Sequence, residues 1–76
     1  MEDIYKILSE IRPEHDFTAS EDFIEDGLLD SFDIITLIDM LQEKYGIVVD
    51  GLDIVPENFC SANAIAELVR KNGKDI

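Results

Sequence analysis

Few side chains in this sequence can do chemistry, and Ser31, which directly follows Asp30, is the most suggestive of them. Aspartate and serine both suit a helix N-terminus, where side-chain oxygens accept from backbone N–H groups that lack partners. A serine just inside such an end is exposed, and the helix dipole there favours an anionic group bonded to its oxygen. As an autonomous nucleophile Ser31 would need a base, and the one histidine is His15, in the loop before it. The segment Gly27-Leu28-Leu29-Asp30-Ser31 is no nucleophile elbow, so a hydrolase is not expected. A serine modified by a separate enzyme needs no base of its own. Cys60 has no cationic neighbour in sequence and reads as a packed or capping thiol.

A second constellation is acidic. Asp22, Asp26, Gly27 and Asp33 fall at the first, fifth, sixth and twelfth positions of an EF-hand loop, with Leu29 at the apolar eighth. Ile24 stands at the third position, where calcium needs an oxygen, and Asp33 is shorter than the bidentate glutamate usual at the end. A single degenerate calcium loop is therefore the runner-up reading, together with an unmodified helical interaction domain.

Charge narrows the partners. Eighteen acidic residues against six basic ones give a formal charge of −12 on 76 residues. Such a field repels phosphate backbones and anionic lipid headgroups, and speeds encounter with basic protein surfaces. Nucleic acid and membrane insertion are not expected: no apolar run approaches the ~20 residues of a span. MEDIYKILSE lacks the basic start and apolar stretch of a signal peptide, so a cytoplasmic protein is expected; a monomer is expected as well. One cysteine excludes an internal disulfide.

The elements that must position Ser31 follow from periodicity. Ile4, Ile7, Leu8 and Ile11 share one face of a helix over 3–12, which Pro13 ends. Residues 13–30 show no sustained period, but Phe17, Phe23, Ile24, Leu28 and Leu29 suggest a loop pinned to a core. The clearest helix runs over 31–45, with Asp30 as N-cap, Asp33 as a capping-box acid and Gly46 as its stop. Ile34, Leu37, Ile38, Leu41 and Tyr45 face inward on that helix, while Asp33, Thr36, Asp39, Glu43 and Lys44 share the opposite arc with Phe32 and Met40. Ile47-Val48-Val49 reads as an extended connection and Pro56 as the first turn of a short helix. A last helix over 62–71 is capped by Ser61 or Cys60, and Gly73 ends it. The expected fold is all-α: a small irregular four-helix bundle of three main helices and one short one, in a single domain over 1–76.

The pattern Phe23, Asp26-Gly27-Leu28-Leu29-Asp30-Ser31-Phe32, then a helix ending Tyr45-Gly46-Ile47, resembles the attachment motif of acyl and peptidyl carrier proteins. The resemblance runs from the first helix to about Val69. In register it is closest to the D-alanine carrier proteins, continuing without gaps through Glu57-Asn58-Phe59. Phe32, Thr36, Asp50 and Phe59 depart from the family's usual leucine or methionine, glutamate, proline and tryptophan. The resemblance implies a 4'-phosphopantetheine arm, taken from coenzyme A and bonded to Ser31, with Asp30 helping to hold the metal ion a transferase uses. It implies a non-catalytic carrier of an acyl or aminoacyl thioester in lipid or cell-wall biosynthesis. Its partners would be a phosphopantetheinyl transferase, an adenylating or acyl-loading enzyme, and a downstream acceptor enzyme. Phe32, Asp33, Thr36, Asp39, Met40 and Glu43 would form the docking face, acids pairing with partner arginines around apolar contacts.

Overall fold

The computed structural model describes residues 2–76. Three α-helices carry the fold: α1 (Glu2–Ile11), α2 (Ser31–Tyr45) and α3 (Ala62–Lys71). Three 3₁₀ turns lie between them, at Phe17–Ala19, Gly51–Asp53 and Pro56–Asn58, and the described residues contain no strand. The expected all-helical architecture is what forms, with the predicted short fourth helix reduced to the Pro56–Asn58 turn. The other two turns were not foreseen, because neither FTA nor GLD contains enough residues to show a period.

α1 packs against both α2 and α3. Its buried face is Ile4, Ile7 and Leu8, and these meet Leu37, Ile38 and Leu41 of α2 and Ala62, Ile65, Ala66, Leu68 and Val69 of α3 in one core. Each large apolar side chain sealed there contributes roughly 1.5–3 kcal/mol. Ile34 and Tyr45, expected inside, pack against the edge of this core and are partly buried.

The long connection before α2 is ordered by its aromatic residues. Phe17 and Phe23 are buried edge to face with ring centroids 5.1 Å apart. The Phe23 amide donates to the Cys60 carbonyl at 2.7 Å, and Leu28 N–H donates back to the Phe23 carbonyl at 2.8 Å. The loop is thereby fastened at its middle, and Leu29 is drawn into the core immediately before the cap of α2. After α2, Gly46 takes φ +65°, a left-handed conformation that glycine adopts without a Cβ penalty, and its N–H closes the helix on the Gln42 carbonyl. Gln42 Oε1 then accepts from Val49 N–H at 3.0 Å. That bond gives the Val49 amide of the extended 47–49 segment a side-chain partner in place of a neighbouring strand.

Candidate functional site

The start of α2 is built by a reciprocal capping box. Asp30 is the N-cap; its Oδ1 accepts from the Asp33 amide at 2.9 Å, and Asp33 Oδ2 accepts from the Asp30 amide at 3.1 Å. Ser31 therefore occupies the first helical position, one residue inside the cap, and it is exposed. Arg12, just beyond α1, reaches this end from below. Its Nε donates to Asp33 Oδ2 at 2.8 Å, and its terminal nitrogens donate to Asp30 Oδ2 at 3.3 Å and Glu14 Oε2 at 3.4 Å. The Asp33 amide bond, joined by the nearby positive charge of Arg12, holds the Asp30 carboxyl below the usual carboxylate range. The Arg12 guanidinium is correspondingly held above its ordinary value, chiefly by its hydrogen bond to Asp33.

Beside Ser31 opens an apolar cleft of about 270 Å³, lined by Ile34 and Ile35 of α2 and by Ile54, Val55, Pro56 and Phe59 of the segment before α3. Phe32 and Ile35 stand out from α2 next to the serine, 79% and 60% exposed. One turn apart on a helix face, they form part of an exposed apolar patch, the kind of feature that marks contact surfaces.

A family model described as phosphopantetheine attachment site matches residues 2–70. The chain belongs to that family. Comparison with curated proteins and with solved structures finds no match. Domains of this family carry a covalently attached 4'-phosphopantetheine, and as carrier domains they meet a phosphopantetheinyl transferase and partner enzymes. The residues at the start of α2 fit such a group. An exposed hydroxyl sits at the positive end of a fifteen-residue helix, where a phosphodiester is favoured, and an open cleft runs from it.

The residues anticipated for docking differ in exposure. Phe32, Thr36, Asp39 and Glu43 are exposed on α2, and Met40 is half-buried against the core edge. Asp33 is a correction. At 8% exposure it is buried, and its carboxylate is engaged by Arg12 and by the Asp30 amide, so it cannot join the solvent-facing arc. A helical projection places a residue by angle alone. It has no means of including the α1 terminus that folds over the first turn of α2.

The acids of the calcium alternative are engaged within the fold. Asp22 Oδ1 accepts from the amides of Ile24 and Glu25, Asp26 Oδ2 accepts from the Ser20 hydroxyl, and Asp33 is bound to Arg12. Among the described residues no group of three or more His, Cys, Asp or Glu side chains converges to hold a metal ion. Cys60 donates weakly to the Glu57 carbonyl at 3.4 Å, and His15 packs edge to face on Phe17. Two residues escaped the sequence reading. Ile35 follows Phe32 by three positions and so shares its face, a signal available from spacing. Arg12 is the one Lys or Arg between Lys6 and Lys44, in a stretch rich in acids, and such a cation is bound to find carboxylates.

Among the described residues no helix is long and apolar enough to cross a membrane.

Proposed function

We propose that Ser31 bears the phosphopantetheine arm and that Asp30 assists its attachment. The observation that supports this most is the one-residue offset between cap and serine: Asp30 takes the capping hydrogen bond, so the Ser31 hydroxyl is not spent on it. In the attachment step the serine oxygen forms a bond to the phosphorus of coenzyme A that bears the pantetheine. The bond from that phosphorus to the adenosine bisphosphate half breaks, and the serine proton passes to a base of the transferase. Asp30 Oδ1 takes the cap bond while Oδ2 makes an exposed 3.3 Å contact with Arg12, which suits it to a transferase-bound cation. The arm supplies a thiol on which cargo is held as a thioester, and tethering keeps that cargo at high effective concentration.

The domain itself acts as a non-catalytic substrate of its partners, a single cytoplasmic carrier unit over 1–76. Asp39 and Glu43 steer basic partner surfaces toward α2, while Phe32, Thr36, Met40 and the unanticipated Ile35 supply contact area beside Ser31. For cargo, the resemblance in register to D-alanine carriers supports an aminoacyl group; a fatty acyl or polyketide unit is the second reading, supported by the apolar cleft beside the serine.

Intact-mass measurement after incubation with a broad-specificity phosphopantetheinyl transferase, coenzyme A and magnesium tests the attachment. One arm is expected on the wild type and none on Ser31→Ala. An arm that persists on the variant, or never forms on the wild type, sinks the assignment. Offering the armed domain D-alanine with an adenylating enzyme, and separately a fatty acyl donor, then sorts the cargo by the mass gained.

A further inference from the structure

The charge cluster beneath the start of α2 has a part that capping alone does not require. Asp30 and Asp33 place two carboxylates in one capping box, and like charges brought near each other are disfavoured unless a cation lies close by. Arg12 lies between them, with Nε on Asp33 at 2.8 Å and a second nitrogen on Asp30 at 3.3 Å. The backbone that carries the guanidinium is fixed. The Arg12 amide donates to the Leu8 carbonyl at 2.9 Å, extending the last turn of α1, and its side chain is only 36% exposed. The basic side chains paired on α3 are committed elsewhere, Arg70 to Glu67 and Lys71 to Asp53.

We infer that Arg12 is a positioning residue for arm attachment: it clasps Asp33 firmly and Asp30 loosely, and so presents Ser31 and Asp30 in the geometry the transferase uses. The clasp is unequal in a useful direction. The short bond anchors the buried acid that closes the box, while the long one sets the orientation of Asp30 Oδ2 and yields readily when a cation arrives. A planar fork suits this task because two nitrogens address two carboxylates at fixed angles, which an ammonium cannot do. Removing Arg12 leaves the two acids to repel; the box opens, and the first turn of α2 frays around Ser31.

The inference rests on Ser31 being the attachment site, and the test separates the two. Attachment kinetics are measured with the full chain, the transferase, coenzyme A and magnesium, alongside amide hydrogen exchange of the free protein. Arg12→Gln should lower kcat for attachment roughly tenfold with KM for the domain little changed, since the docking arc of α2 is untouched. Exchange at the Ser31, Phe32 and Asp33 amides should quicken in the same variant. Arg12→Lys should recover part of both, because charge returns without the fork. Ile4→Val, a core change at the far end of α1, serves as the control for general destabilisation and should alter neither. Equal kcat in wild type and Arg12→Gln, an equal fall in the control, or no recovery with lysine overturns the clasp. A wild type that takes no arm overturns the Ser31 reading beneath it.

Discussion

Two helices in this domain begin with a serine close at hand, and they use it oppositely. At α3, Ser61 is itself the N-cap; its hydroxyl accepts from the Ala64 amide at 3.1 Å, and the first helical residue, Ala62, is buried. At α2, Asp30 is the cap and Ser31 comes one residue later, exposed, with its hydroxyl outside the capping bond. A shift of one position decides whether a hydroxyl holds a helix or is left for chemistry. The neighbours reinforce the difference. The α3 start turns into the core, whereas the α2 start carries a charged box, a cleft and two exposed apolar side chains.

The comparison breaks most sharply if the two serines are exchangeable. Ser31→Ala should lose attachment completely and keep its helix, because an alanine at the first helical position costs little. Ser61→Ala should keep full attachment while losing about 1 kcal/mol of stability, the usual worth of an N-cap. Mass spectrometry and thermal melts of both variants give the four readings. Attachment surviving in the first variant, or lost in the second, would reverse the roles assigned to the two helix starts.

Asp33 tests how far the α2 cap depends on charge. It accepts from both the Asp30 amide and Arg12 in a nearly buried setting, and α3 has no counterpart at Ala64. Asp33→Ala should cost roughly 1.5–3 kcal/mol, in the range for losing hydrogen bonds to a charged group. A domain of this size would then melt about 4–8 °C lower per kcal/mol. A melting temperature within a degree of wild type would show the box to be ornamental. The acidic arc, by contrast, should be nearly free of stability effects. Reversing Asp39 and Glu43 to lysine should leave the fold intact but slow association with a cognate loading enzyme several-fold at low salt, with the gap narrowing as salt rises. Phe32→Ala should weaken loading with little salt dependence, since it removes apolar contact and no charge. Normal loading by the double reversal at low salt would make that arc a solvated face.

What the sequence made legible divides along the same line. Contacts within a helix or its cap were readable, because they depend on spacing that the chain itself displays. Asp30 as cap, Asp33 as box acid, Gly46 as stop and Ser61, one of two candidate caps, all stand where local rules put them. The loop aromatics were readable as buried, although not the bond that fastens Phe23 to Cys60. What failed was long-range. The burial of Asp33 is caused by Arg12, 21 residues away, and no periodicity within 31–45 carries that information. The cleft beside Ser31 was invisible for the same reason, since Ile54 and Pro56 reach it from a segment with no regular pattern.

The smallest effect expected concerns acid, and Asp30→Asn isolates it. Asparagine caps a helix about as well as aspartate, so the substitution removes the charge and spares the cap. Acid acts on this domain in two opposing ways. Protonating the many surface carboxylates relieves self-repulsion in a chain of net charge −12, which stabilises the fold. Protonating Asp30 does the reverse, because its carboxyl is held below the ordinary value in the folded state by the Asp33 amide and by Arg12. A depressed folded value means that the folded form favours the ionised group. That contribution is fully present above the unfolded value of about 3.9 and is lost as pH falls through the lower, folded one. Wild type should therefore melt above Asp30→Asn at neutral pH, and the two melting curves should converge as pH is lowered through the acid range below 4. The self-repulsion term is nearly common to both proteins and cancels in the difference. A gap that stays constant to the lowest pH would mean that asparagine differs from aspartate in shape alone, and that Arg12 gains nothing from the charge at the cap.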